Sequence, residues 1–253
     1  MKKLTACLKL AAALTIAMAT LGAGLAHAQE SKVEAAPDNV ISYNAAVVSD
    51  YRFRAISQSR LQPALQGGAD YTHNPSGFYA GTWLSSIKWI KDIVGGSGDV
   101  EWDLYGGKRG EIVKDVSYDV GGLYYFYPSN GLHPSANTFE LYGQASYGPA
   151  YVKYSHALTD TFGFVDSNNS GYIDLGANVE ITDGYMLNLH AGRQNVKNNG
   201  YASYNDYKIG VTKDFGIVTV ALAAIKADTS AYSAPSGKNL GKTGAVLTIS
   251  TTF

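Results

Sequence analysis

The sequence predicts an all-β protein: a transmembrane antiparallel up-and-down β-barrel of about twelve strands, preceded by a cleaved signal peptide. Three observations carry that expectation. The chain opens on a basic and then apolar leader, side chains alternate in polarity almost to the last residue, and short connections alternate with long ones.

The leader comes first. Lys2, Lys3 and Lys9 form its positive start, an apolar run follows through Ala11, Leu14, Ile16 and Met18, and it ends in Ala26-His27-Ala28. That triplet has the form of a signal-peptide cleavage site, and the run is too short and alanine-rich for a permanent span. The expected organisation is a signal peptide over 1–28, a short polar lead-in over 29–39, and a barrel over 40–253. The signal peptide removes three of the 20 Lys+Arg and none of the 21 Asp+Glu, leaving 17 against 21 and a net charge of −4. An acidic surplus argues against a nucleic-acid partner. The only cysteine, Cys7, lies in the leader, so the mature chain can use neither disulfides nor thiol chemistry. Tyr (19) and Gly (28) far outnumber Pro (7), a β-rich composition in which tyrosine suits the headgroup level of a membrane.

Period two then runs along the chain. Ile41 to Arg54 sets mostly apolar odd positions against Ser42, Asn44, Asp50, Arg52 and Arg54. Leu61, Leu65, Ala69 and Tyr71 oppose Arg60, Gln62, Gln66 and Asp70. Val100, Trp102 and Leu104 alternate with Asp99, Glu101, Asp103 and Tyr105, and Val116, Tyr118 and Val120 with Ser117, Asp119 and Gly121. The same pattern returns around Glu140 and Gln144, Asp174 and Asn178, Asn188 and His190, Asp206 and Lys208, and Thr248 to Thr252. It is blurred near 77–86, 150–157 and 217–226. Alternate side chains of a strand occupy opposite faces, so each segment has one apolar and one polar face.

Turn-like connections at 73–77, 109–114, 147–149, 182–184 and 213–216 interleave with longer polar loops at 86–98, 128–137, 156–171, 195–204 and 227–242; only the first loop, 55–59, is short. Outer-membrane barrels join an even number of strands by short periplasmic turns and long outer loops. A soluble β-sandwich also alternates, but strict short–long connections and strands of about 9–13 residues favour the barrel. The last strand ends on Phe253, which resembles the signal read by barrel-assembly machinery.

Ser49-Asp50-Tyr51-Arg52-Phe53-Arg54, Ser57-Gln58-Ser59, Pro63 to Tyr71, Gly77 to Trp83, Glu101 to Gly107 and Tyr124 to Pro128 together resemble the TorF porin family, most densely over 40–130. Ala55 stands where that pattern has glycine. The resemblance implies an outer-membrane barrel with a transport role, no agreed substrate and no catalytic residues.

With the apolar face toward lipid, the polar face lines the lumen. The expected pore-lining residues are Asp50, Arg52, Arg54, Arg60, Gln62, Gln66 and Asp70 on one wall, and Asp99, Glu101, Asp103 and Asp119 on another. Opposed walls of this kind orient small polar solutes and tune ion preference; the plainer reading pairs these charges across a plugged lumen. Asp166 to Asp174 begins like a calcium loop, but Ala177 stands where its bidentate Glu belongs, so no metal is expected. His73, His133, His156 and His190 join no local Ser–acid motif, and G-x-S-x-G is absent, so no catalytic site and no cofactor are expected. The expected function is a passive porin in the bacterial outer membrane for small polar solutes or ions. The alternative is an adhesive or structural barrel with a blocked lumen, whose loops 86–98 and 227–242 present Trp89, Ile90, Ile93 and Tyr232. No short motif fixes an oligomeric state.

Overall fold

The computed structural model describes residues 37–253; the expected signal peptide and residues 29–36 of the lead-in lie outside them. Alternation becomes strand at almost every place expected. The strands are β1 (Asn39–Val48), a two-residue pair β2 (Arg52–Phe53) and β3 (Ile56–Ser57), then β4 (Ala64–His73), β5 (Phe78–Ser86), β6 (Val100–Val113) and β7 (Val116–Phe126). They continue as β8 (Thr138–Tyr147), β9 (Ala150–Ala157), β10 (Gly171–Thr182), β11 (Tyr185–Asn195), β12 (Tyr204–Asp214), β13 (Thr219–Ala227) and β14 (Gly244–Thr252). Twelve of these close into one antiparallel barrel in which β1 pairs with both β4 and β14. Ile41 sits opposite Tyr71, and Val47 opposite Leu65 on one side and Ile249 on the other. Closure removes every sheet edge.

The tight turns gather at one end and the long connections at the other. Between β10 and β11, Asp183 (φ 45°) and Gly184 (φ 73°) both take left-handed backbone, the conformation that a two-residue hairpin turn demands and that Asp-Gly accommodates. At the same end Phe253 exchanges backbone hydrogen bonds with Tyr43, 2.7 and 2.9 Å.

The outward face is apolar all round: Ile41, Leu65, Leu104, Leu141, Leu175, Ile209, Leu222 and Ile249 are exposed. Aromatic side chains flank this band, with Tyr71, Phe78, Tyr147, Tyr185 and Phe253 toward the turn end and Trp102, Tyr154 and Tyr207 toward the loop end. Exposed tyrosines thus lie at the margins of the apolar band, but another set turns into the lumen. There the ring of Tyr105 covers its cross-strand partner Gly81, Tyr79 covers Gly107, Tyr142 covers Gly121 and Tyr151 covers Gly176. A methyl group on Gly81 would come within 2.4 Å of the Tyr105 ring. Glycine is required here for close approach, and each ring shields the backbone that its glycine leaves bare. This cross-strand stacking accounts for much of the joint richness in Tyr and Gly.

The packed apolar core lies inside the barrel toward the loop end. Val48, Trp83, Leu123, Tyr125, Tyr204, Ile225 and Val246 from the wall meet Tyr51 and Ile56 of the first connection, and Ile90, Leu132 and Leu240 from later loops.

Candidate functional site

The lumen holds the buried polar chemistry, and the first connection decides its shape. The expected first strand, through Arg54, ends instead at Val48, and the expected short loop 55–59 is a connection of residues 49–63. Within it β2 and β3 pair only with each other. This hairpin turns at Arg54 (φ 45°) and Ala55 (φ 65°), which explains why glycine suits position 55, and it folds into the lumen. Period two continued to residue 54 because the hairpin is itself extended; alternation cannot separate a wall strand from an inserted one. Pro63, which has no N–H to give a ladder, marks the return to the wall.

Asp50, Arg52 and Arg54 accordingly sit on the inserted segment rather than on a wall strand. The Asp50 carboxylate accepts from Arg52 Nε at 2.7 Å and from Ser57 Oγ at 2.5 Å. Arg52 also donates to the Lys242 carbonyl of the last loop at 2.7 Å. Arg54 crosses the lumen to Glu140 of β8, with Nη1–Oε1 3.0 Å and Nη2–Oε2 2.7 Å, and gives a further bond to Gln194 Oε1 of β11 at 2.7 Å. Its guanidinium lies 4.2 Å from the Tyr172 ring centre and 4.7 Å from that of Phe53.

The other expected residues divide between wall and rim. Gln66 and Asp70 of β4 face inward; Asp70 accepts from the Tyr105 hydroxyl at 2.6 Å. Glu101 and Asp103 of β6 are fully buried, with Tyr51 Oη donating to Glu101 at 2.8 Å. Asp119 of β7 accepts from Tyr79 Oη at 2.5 Å. Arg60, Gln62 and Asp99 are corrections: all three belong to loops. Arg60 pairs with Asp92, Gln62 accepts from Lys88, and Asp99 pairs with Lys91 at 2.8 Å in solvent. Hydrogen bonding and charge from Lys91 hold the Asp99 carboxyl below its ordinary range. Alternation in the sequence runs through positions 60, 62 and 99, but the strands begin only at Ala64 and Val100. Opposed basic and acidic walls are thus replaced by a basic hairpin inside an acidic wall.

Several lumen residues extend the site beyond those expected. His190 bridges two carboxylates, Nδ1 to Asp174 at 2.8 Å and Nε2 to Asp206 at 2.6 Å, with the Tyr172 hydroxyl 3.1 Å from Asp206. Lys153, Lys208 and Arg109 also face inward, none within 4.0 Å of a carboxylate oxygen among the described residues. Their signal was parity: Tyr172 precedes Asp174 by two, as Tyr204 precedes Asp206, so those tyrosines share the polar face. Glu101 Oε2 and both Asp103 oxygens are buried without a hydrogen-bond partner. Beneath the hairpin, a cavity of about 20 Å³ beside Asp50, Arg52 and Gln66 has room for roughly one water.

At the loop end, Asp160 accepts the backbone N–H groups of Ser167 and Asn168 at 2.8 and 3.1 Å, and the calcium-like stretch runs from this loop into β10, where Asp174 bonds His190.

The sequence matches, over residues 32–253, a family described as bacterial protein of unknown function, Gcw_chp. The chain belongs to the Gcw_chp family. That match bears no TorF label, but the Gcw_chp chain has the fold of an outer-membrane porin. It superposes on the KdgM porin with a TM-score of 0.53 at 6% identity, covering 84% of this chain and 97% of that one. OccK5 (OpdH) of Pseudomonas aeruginosa gives 0.43 at 12% identity, covering 85% and 67%. No curated protein matches the sequence.

Proposed function

We propose that this Gcw_chp protein resides in the bacterial outer membrane as a narrow channel for small polar solutes or ions, closed in the described conformation by its inward hairpin. One observation carries the reading: a charged lumen inside an apolar exterior is crossed by a two-stranded hairpin that shares no ladder with the wall. An apolar belt with aromatic margins suits lipid and not water. Buried charge on this scale is costly for a merely structural interior. Because the hairpin is fastened by side chains and isolated backbone bonds, such as Ser57 N–H to Leu240 O at 3.1 Å, it can leave while all twelve wall strands stay paired. The wall-facing Gln66, Asp70, Glu101, Asp103 and Asp119, with Asp50, Arg52 and Arg54 of the hairpin, would then border the solute path. On this reading residues 1–28 direct export, and β14, with Phe253 following it, is the strand recognised by barrel-assembly machinery.

Liposome swelling tests the reading. Vesicles carrying a folded variant with residues 51–58 replaced by a short Gly/Ser loop should swell in small sugars or salts faster than vesicles carrying the wild type; equal rates would contradict it.

A second reading, a blocked barrel whose loops bind a partner, is favoured by exposed apolar side chains at the loop tips: Val94 is fully exposed, and Val165 and Tyr201 largely so. It cannot use Ile90 or Tyr232 as expected, because Ile90 is buried and Tyr232 donates to the Ala202 carbonyl within the loop cluster.

A further inference from the structure

The geometry points to a guanidinium-binding site built into the barrel wall and occupied here by the chain's own Arg54. Three wall strands supply it: Glu140 the two-pronged carboxylate, Gln194 an amide oxygen, and Tyr172 an aromatic face. A planar fork of donors on a carboxylate, stacked on a ring, is the arrangement guanidinium satisfies and ammonium does not. Each wall group is also set in place without the hairpin. The Gln194 amide nitrogen donates to the Gly171 and Asn195 carbonyls, both at 3.3 Å, which turns its oxygen toward the lumen. Tyr172 is held through its hydroxyl by Asp206 and His190. The Tyr125 hydroxyl lies 3.4 Å from Glu140 Oε2.

The surroundings favour a mobile cation as well. In the next inward-facing row toward the loops stands Asp103, opposite Tyr125, with both carboxylate oxygens unpartnered, and Glu101 beyond it adds a third. With Arg54 withdrawn, three buried carboxylates would face this half of the lumen with no cation bonded to them. Arg54 itself is carried on a turn of two non-glycine residues in left-handed backbone, a conformation costing about 1–2 kcal/mol per residue. A solute bearing a guanidinium group would therefore compete with Arg54 for the same three contacts and release the hairpin. Use of the site in transport rests on the channel reading above; the binding itself does not.

Calorimetric titration of the folded full chain in detergent with arginine methyl ester tests this. Arg54→Ala should bind one equivalent, at least about tenfold more tightly than wild type, whose tethered arginine competes. Arg54→Ala with Glu140→Gln should lose the binding, and lysine methyl ester should bind Arg54→Ala about tenfold more weakly. Equal binding of the ester with and without Glu140, or none to a folded Arg54→Ala protein, overturns the assignment. Should that variant not fold, amide exchange in the wild type decides: the ester should speed exchange across residues 50–59, and unchanged exchange overturns it. A protein that binds the ester yet never conducts keeps this site and loses only the channel.

Discussion

Arg54 meets Glu140 end-on across the lumen through two nearly parallel hydrogen bonds of 3.0 and 2.7 Å, and both side chains are almost wholly buried. This ion pair ties the hairpin, which shares no ladder with the barrel, to the wall. Removing one partner of a buried ion pair strands the other, at about 3–5 kcal/mol. Arg54→Ala is therefore expected to unseat the hairpin without opening the barrel. Limited proteolysis reads this directly: the variant should be nicked within residues 49–63 much faster than wild type, while heat-resistant β-structure is retained.

Selectivity follows from the same segment. Arg52→Ala with Arg54→Ala removes two positive charges from a lumen whose wall carries Asp70, Glu101, Asp103, Asp119 and Glu140. Ion preference should move toward cations, seen as a shifted reversal potential in a salt gradient. An unchanged potential would remove these arginines from the conduction path.

The stacking of Tyr105 on Gly81 makes a stability prediction. Tyr105 cannot swing aside freely, because its hydroxyl is tied to Asp70 at 2.6 Å. Gly81→Ala should cost about 1–3 kcal/mol through overpacking. In a Tyr105→Ala background the same change should cost much less, because the methyl then meets open space. Urea midpoints of the four proteins give the coupling directly; equal costs in both backgrounds would show that the ring does not set the requirement for glycine.

His190 holds Asp174 and Asp206 together, 2.8 and 2.6 Å from its two ring nitrogens. His190→Ala leaves two buried carboxylates without their shared partner and is expected to destabilise the barrel by about 3 kcal/mol or more. Adding Asp206→Asn should recover part of the loss by removing one charge. No recovery would mean that the histidine acts by packing alone.

Asp99 is the contrast case. Its carboxyl is held below the ordinary range by Lys91, so any contribution is present above the unfolded value and lost as pH falls through the folded one. Both groups are largely in solvent, where screening leaves little net effect. Asp99→Asn should leave conductance and the urea midpoint near wild type, and NMR titration should show the Asp99 carboxyl returning toward its ordinary range in Lys91→Ala.

Most of the wall was legible because a barrel strand has one determinant, the opposition of lipid and lumen. Thus Trp102 and Leu104 face out while Glu101 and Asp103 face in, as their parity requires. Two things were not legible. Parity says which face a residue takes but not how far inward its segment travels, so alternation alone extends the first wall strand to Arg54 although the chain leaves the wall after Val48. Residue class also misled for tyrosine: Tyr79, Tyr142 and Tyr172 occupy polar parity, and only the cross-strand register reveals the glycine beneath a ring or the acid at its hydroxyl. The partnership of Arg54 with Glu140 and Gln194, which are 86 and 140 residues away in sequence, depends on closure of the whole barrel and leaves no local trace.

Single-channel recording of the wild type beside a variant in which residues 51–58 are replaced by a short Gly/Ser loop tests most directly whether the hairpin closes a channel. Rare, small steps in the wild type and large, long-lived steps in the variant are the expected result. Equal conductance in the two, or silence in both after verified insertion, would contradict it.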